Sequence, residues 1–220
     1  MREILIDKNN LDSVPSKFGP SIEYKDNKIL VIDRFGNQFH IYKNSIKTYV
    51  VKEYDRILFE AFLLSLPIGC LLSSLGNHVL HGSALSYKDK NICFIGKSGS
   101  GKSSLVYQLM QLKSAELLSE DLLILNPELD FIKYRSFIKL SNNIINTTSF
   151  NNLQLSHVKN IKDSRNRSIY LIENQKDVTA KKGVENCYFL QWSEENSIRP
   201  MNAHEAFKYL LTYSYKDDCG

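Results

Sequence analysis

Residues Gly96 to Ser103 read GKSGSGKS and match the pattern GxxxxGK[ST] at every required position. At average residue frequencies a chance match in a chain of 220 residues is expected below about one time in a hundred. The pattern constrains the backbone first. Its glycines let the chain curl with several N–H groups pointing inward, some residues at positive φ. Those amides and the N-terminus of a following helix make an anion cradle. The flanks agree with this. Ile92 to Ile95 (ICFI) is a short, continuously apolar run, as expected for a strand covered on both faces. Leu105, Leu109 and Leu112 follow at i, i+4 and i+7, one stripe of a helix.

In such a loop the lysine, Lys102, reaches the β- and γ-phosphates, and the Ser103 hydroxyl ligates Mg²⁺. The expected ligands are therefore ATP and Mg²⁺, with Gly96, Lys97, Ser98, Gly99, Ser100, Gly101, Lys102, Ser103 and Ser104 around the phosphates. Downstream, Leu117 and Leu118 open a strand that meets Glu120 and Asp121 and continues to Leu125 (LLSEDLLIL), completing a βαβ-type unit. Neighbouring strand residues face opposite sides, so both carboxylates serve one site only if the chain bends between them. Phosphoryl transfer needs one carboxylate near the metal and another near the incoming hydroxyl. Other P-loop classes fit less well. No LSGGQ-like signature is present, which disfavours an ABC-type ATPase. The DxxG matches fall before the loop (Asp33 to Gly36) and at the chain end (Asp217 to Gly220), and the Asn174–Asp177 segment NQKD misplaces the lysine of NKxD. A GTPase is disfavoured.

The remaining chain sets the context. Lys28 to Ile32 follows a turn at Asp26–Asn27, Gln38 to Tyr42 follows Gly36–Asn37, and Thr48 to Val51 is another apolar patch, a pattern of hairpins or a small meander. Tyr54 to Gly76 reads as a buried helical segment, broken near Pro67 and ended at Gly76. Its most apolar part, Ala61 to Leu75, is too short to span a bilayer. Val79 to Tyr87, Ser168 to Ile172 and Cys187 to Trp192 are further strand candidates, with a turn at Lys88 to Asn91. Ala203 to Tyr213 is a helix opened by a capping box, Asn202 with Glu205. Asn142 to Asn166 is polar and Asn-rich, and the basic cluster Lys159, Lys162, Arg165 and Arg167 reads as a solvated loop. The expected division is a small N-terminal β/helical region, 1–76, and a core, 77–220. A net charge of +4 without a dense basic stripe does not point to nucleic acid. Met1 to Asn10 carries no apolar core of a signal peptide, and Cys70, Cys93, Cys187 and Cys219 form no CxxC pair. A cytoplasmic protein with free thiols and no membrane partner is expected, and a homo-oligomer is left open.

Leu80 to Leu85 (LHGSAL), Phe94 to Leu105 (FIGKSGSGKSSL) and Leu117 to Asp121 (LLSED) together resemble the catalytic core of the HPr kinase/phosphorylase family. The resemblance is closer to the short HPr-kinase-like proteins of peptide-modification systems, the lasso-peptide kinases among them. That family places a histidine-glycine pair about fifteen residues before its P-loop, and here 96 − 81 = 15. It also places two consecutive acidic residues after the P-loop helix, where Glu120 and Asp121 stand. The first is usually Asp there and is Glu here. The resemblance implies an α/β fold, a P-loop HPr-kinase-like core with a mixed sheet preceded by a small β-rich region. It implies an ATP- and Mg²⁺-dependent kinase acting on a serine hydroxyl of a peptide or protein, such as a natural-product precursor peptide. It gives Glu120 the place of the catalytic carboxylate, Asp121 a role in supporting Mg²⁺ or the site geometry, and His81 a place beside the catalytic carboxylate. A kinase of free serine and a nucleotide sensor without transfer are the alternatives.

Overall fold

The computed structural model describes residues 5–7, 20–25, 28–132, 138–140, 155–162, 167–172 and 183–215. It is a mixed α/β protein with a mixed sheet and few helices. Two compact units divide it: residues up to Asn77 together with Tyr215, and His78–Ser214. The division expected after residue 76 thus falls one residue later, and Tyr215 belongs to the first unit.

The first unit is a five-stranded sheet. Its strands are β1 (Leu5–Asp7), β2 (Ser21–Lys25), β3 (Lys28–Ile32), β4 (Gln38–Tyr42) and β5 (Ser45–Tyr49), in the order β1-β5-β4-β3-β2. β2 to β5 form an antiparallel meander, and β1 adds in parallel to β5. In β3, β4 and β5 the second and fourth residues are buried, the alternation that packs one face and leaves the other to solvent. The third hairpin strand was expected at Thr48 to Val51 and lies at Ser45–Tyr49. Tyr42 pairs with Ser45, so a two-residue turn sets the register earlier than the apolar patch suggests. The turn expected at Asp26–Asn27 lies outside the described residues.

Two helices cover this sheet, α1 (Arg56–Leu63) and α2 (Leu66–Ser74). Asp55 caps α1 by accepting from the amides of Ile57 and Leu58, both at 2.9 Å. The break expected near Pro67 comes at Leu64–Ser65, and Pro67 stands in the first turn of α2, where its missing N–H costs nothing. Gly76 follows α2 at φ 86°, the left-handed end that glycine permits, and its amide bonds the Ser73 carbonyl at 2.9 Å. Phe59, Leu63, Cys70 and Leu71 pack onto Ile29, Val31, Phe39, Ile41 and Ile46, with the Phe39 and Phe59 rings stacked 5.2 Å apart. Residues 56–74 have the apolarity of a membrane span, mean hydropathy 1.9, but the chain folds them as two short helices against the sheet.

The second unit begins with a hairpin of β6 (His78–Tyr87) and β7 (Lys90–Gly96). Lys88 and Asp89 both have positive φ, 48° and 64°, as a two-residue hairpin turn of primed type requires. The turn expected over Lys88 to Asn91 is therefore shorter and β7 longer. After α3 (Lys102–Leu109) come β8 (Ala115–Ser119), β9 (Leu122–Leu125), β10 (Ile138–Leu140), β11 (Leu155–Lys162), β12 (Ser168–Ile172), β13 (Asn186–Leu190) and α4 (Ala203–Tyr213). The main sheet has the order β13-β7-β6-β8, with β9 beside the first half of β6. β6 is antiparallel to β7, β8 and β9, whereas β13 is parallel to β7. The crossover β7–α3–β8 therefore spans one antiparallel strand. A second sheet, β10-β12-β11, is wholly antiparallel.

Both faces of the main sheet are covered. On one, Leu85, Phe94 and Leu117 meet Val106, Tyr107 and Met110 around α3 and Ile138, Leu140 and Tyr170 of the small sheet. On the other, Ala84, Cys93, Ile95, Leu118 and Leu123 meet Phe131, with Leu210 and Tyr213 of α4 against them. This double cover is why β7 is apolar at consecutive positions. Several boundaries differ from expectation. α3 ends before Leu112, which is 46% exposed, and the buried stripe runs through Val106, Tyr107 and Met110 instead. β13 stops at Leu190, short of Trp192. β11 forms within the Asn-rich stretch, so Lys159 and Lys162 lie in a strand, not a loop, and Arg165 lies outside the described residues. The capping box of α4 is present, Asn202 accepting from the Glu205 amide at 2.9 Å.

Candidate functional site

The loop after β7 has the curvature its glycines allow. Gly99 and Gly101 stand at φ 90° and 93°. Between them the Ser100 amide bonds the Lys97 carbonyl at 3.0 Å. Gly101 is also the N-cap of α3 and offers no side chain, so the first turn of α3 has no side-chain cap. Gly96 has no room for a Cβ: one built there would lie 2.6 Å from the Leu190 carbonyl oxygen and 2.7 Å from Ser100 Oγ. Lys97, Ser98 and Gly99 are exposed at the rim, while Ser103 and Ser104 on α3 are half-buried. Lys102 is buried. Its ammonium bonds the carbonyls of Gly96 at 2.7 Å and Lys97 at 3.0 Å, folded back over the loop it belongs to.

The acidic pair lies where a strand is interrupted. The sequence suggests one continuous strand through Leu117 to Leu125, but the structure has two, β8 and β9, with Glu120 and Asp121 between them. Ala84 pairs with Ser119 and His81 with Leu122, so the register is the same on both sides of the break. That register sets Glu120 opposite Ser83 and Asp121 opposite Gly82. Asp121 adopts φ 69°, a left-handed conformation that turns the chain. The Ser119 hydroxyl donates to the Leu122 carbonyl across the gap. The bend needed to bring both carboxylates to one site is present, and it costs two rungs of the ladder.

Each carboxylate then has its own surroundings. Glu120 is buried, and the Ser103 hydroxyl donates to its Oε1. Burial raises its carboxyl to about 7, against the pull of the Ser103 and Ser83 hydroxyls; the Asp121 charge adds to the rise, and the Lys102 ammonium opposes it. Asp121 is partly open. Its Oδ1 lies 3.4 Å from His81 Nδ1 and its Oδ2 3.4 Å from Lys139 Nζ. Burial lowers the His81 pKa, and the ammonium groups of Lys102 and Lys139 also lower it, while Asp121 pulls it up. The imidazole is therefore neutral at pH 7. Gly82, next to His81, is required by close approach: a Cβ there would sit 2.9 Å from the Phe94 carbonyl oxygen.

The structure thus brings together Lys102, Ser103, Glu120, Asp121 and His81 from three segments. It sets Glu120, not Asp121, against Ser103, and His81 against Asp121. Two residues escaped the sequence reading. Lys139 stands between buried Ile138 and Leu140 on β10, and that alternation was the available signal. Trp192, just past β13, donates from Nε1 to the Gly99 carbonyl at 3.0 Å, and nothing local in the sequence points to it. Among the described residues no three His, Cys, Asp or Glu side chains cluster as a metal site. The Ser103 hydroxyl with one or two carboxylates nonetheless suits a hard cation that takes its other ligands from phosphate oxygens and water. Chemically, the site offers a curled amide loop, an ammonium, a hydroxyl and two carboxylates in unlike surroundings. No family model matches this chain, and a search of curated proteins finds no match for it.

Proposed function

We propose that the protein is an ATP- and Mg²⁺-dependent kinase of the HPr-kinase-like P-loop type, transferring the γ-phosphate to a serine hydroxyl of a peptide or protein. The observation that carries this reading is the junction at the strand break. There Glu120 meets the Ser103 hydroxyl of the loop, while Asp121 turns away to His81 and Lys139. A sensor of nucleotide needs only the loop; a second, partly open carboxylate beside it is what transfer needs. The choice of a peptide acceptor, with natural-product precursor peptides foremost, rests on the resemblance of the three segments.

In this mechanism the loop amides and the N-terminus of α3 hold the triphosphate, and Lys102 exchanges its two carbonyl partners for the β- and γ-phosphates. Ser103 and Glu120 would hold Mg²⁺, which when bound neutralises charge developing on the transferring phosphoryl group. Burial holds the Glu120 carboxyl at about 7 without ligand, and a cation held there would favour its carboxylate form. Asp121 takes the proton from the serine hydroxyl as the serine oxygen bonds the γ-phosphorus and the bond to the β,γ-bridging oxygen breaks, its electrons leaving with ADP. His81 and Lys139 orient Asp121, each 3.4 Å from one of its carboxylate oxygens. This division reverses the roles that the resemblance implies for the two carboxylates. Burial supports this division, because Glu120 is buried against Ser103 whereas the Asp121 side chain is 22% exposed and open to an incoming hydroxyl.

The test is transfer of γ-labelled phosphate from ATP with Mg²⁺ into a panel of serine peptides and free serine, with Lys102→Ala as control and products identified by mass spectrometry. Label on a peptide serine, lost in the control, is the expected outcome. Label on free serine alone would move the acceptor to metabolism. ATP binding without transfer to any acceptor would sink the kinase reading in favour of a sensor.

A further inference from the structure

Trp192 is the only tryptophan in the chain, and it is 81% exposed. A residue of this size is strongly buried on average, so an indole left in solvent calls for an explanation. Its polar end is not idle: Nε1 donates to the carbonyl of Gly99, in the middle of the phosphate loop. The large apolar faces of the ring stay open.

Its position follows from the topology. β13 and β7 are the parallel pair of the main sheet, with Leu190 in register with Gly96. Their C-terminal ends therefore emerge at one edge, β7 into the phosphate loop and β13 into the segment carrying Trp192. In α/β sheets ligands bind beyond the carboxyl ends of parallel strands. The two ends are locked together, because Gly96 admits no Cβ against the Leu190 carbonyl. An indole hydrogen-bonded to the rim of the loop is thus held at a set distance from anything the loop binds.

We propose that Trp192 is the stacking platform for the base of the nucleotide, the residue that makes the site select nucleoside triphosphates over bare polyphosphate. This rests on the phosphate-loop reading above. Stacking on an aromatic face is tolerant of base identity, because every base has a π-face. ATP and GTP should therefore bind within a few-fold of each other.

The experiment is calorimetric titration of the full chain with Mg·ATP and with Mg·tripolyphosphate, for wild type, Trp192→Ala and Trp192→Phe. The expected result is that Trp192→Ala weakens ATP about tenfold or more, leaves tripolyphosphate unchanged, and is largely rescued by Trp192→Phe. In wild type, ATP should also quench the single tryptophan's fluorescence more than tripolyphosphate does. Equal weakening of both ligands would overturn the proposal and make Trp192 a support of the loop through Gly99. No change in either would overturn it outright. Tripolyphosphate binding with ATP no tighter in wild type would remove the base site while sparing the phosphate loop. Binding of neither ligand would remove the phosphate loop's role, and this proposal with it. Because Trp192 is exposed, circular dichroism should show all three proteins equally folded.

Discussion

Each of the two units buries carboxylate and amide or hydroxyl groups, and they do so in opposite ways. In the first, Asp33 and Asn37 are both buried at the turn between β3 and β4. Asp33 Oδ1 accepts from the amides of Phe35 and Asn37 at 2.8 and 2.9 Å, and Oδ2 accepts from Asn37 Nδ2 at 2.7 Å. Asn37 Oδ1 takes the Val51 amide at 3.0 Å. Most of these partners lie within five residues, and they close a turn without breaking a strand pair. In the second unit four of the buried polar groups, Ser83, Lys102, Ser119 and Glu120, come from β6, α3 and the β8–β9 break. They meet where two rungs of the ladder are missing and one residue is left-handed. The first arrangement satisfies polar groups to stabilise a turn. The second gives up sheet pairing to hold a carboxylate in a place that water hydrates poorly. A second irregularity, a register shift between Ala84 and Leu85 on β6, adjoins the break, and lost pairing beside a left-handed residue is the kind of strain that clusters at functional sites.

The sharpest way to break this comparison is to neutralise one carboxylate of each kind. Asp121→Asn keeps the shape and removes the proposed base, so transfer should fall by about 10³-fold while ATP affinity stays within a few-fold. Asp33→Asn should leave the transfer rate per folded molecule unchanged. Rates and binding are read from labelled-phosphate transfer and calorimetry on the same preparations. If Asp121→Asn transfers at the wild-type rate while Glu120→Gln does not, the two carboxylates hold the roles that the family resemblance assigns, and the burial argument is wrong.

Much of this was legible in the residues, and the failures have physical causes. The curl of the glycine loop, β3, β4, β12 and the capping box of α4 depend on local chemistry: glycine spacing, strand alternation, a reciprocal cap. They stand where the sequence puts them. What escaped depends on pairing between distant segments. LLSEDLLIL looks like one strand because apolar runs flank the acidic pair closely on both sides, and only the partner β6, with Ser83 and Gly82 opposite, shows that Glu120 and Asp121 leave the ladder. Gly82 looked like a companion of His81, and the Phe94 carbonyl explains it. Lys139 and Trp192 reach the site from 18 and 93 positions away from the residues they touch, Asp121 and Gly99, beyond any local pattern. β11 was lost in its Asn-rich composition, which carries no clean alternation.

The turn in the first unit offers the next, smaller test. Asp33→Ala removes three accepted hydrogen bonds and leaves two amides and the Asn37 side chain without their partner in a buried turn. A loss of about 2–4 kcal/mol is expected, read from urea unfolding. ATP affinity should not follow, if the polar groups of this unit serve only its own fold. A large fall in ATP affinity at full folding would show that the turn also conditions the site and that the contrast between the units is overdrawn.

The smallest expected effect concerns Glu120 itself, in protein free of nucleotide and Mg²⁺. Burial raises its carboxyl to about 7 in the folded chain, from an ordinary value of 4.5. Below pH 4.5 the group is protonated in both states and contributes no difference. As pH rises from there toward 7, the unfolded chain releases the proton while the folded chain keeps it, so stability is lost across that window and stays lost above it. Glu120→Gln has no proton to release. Its melting temperature should therefore exceed wild type by a few °C at pH 8, and the difference should shrink toward zero near pH 4.5. Adding Mg²⁺ and ATP should reverse the order at pH 8, because a carboxylate then has a cation beside it and an amide does not. A variant that melts below wild type by the same amount at every pH would mean that the Ser103–Glu120 hydrogen bond outweighs the buried charge. The strand break would then be an ordinary buried polar contact, like the turn at Asp33.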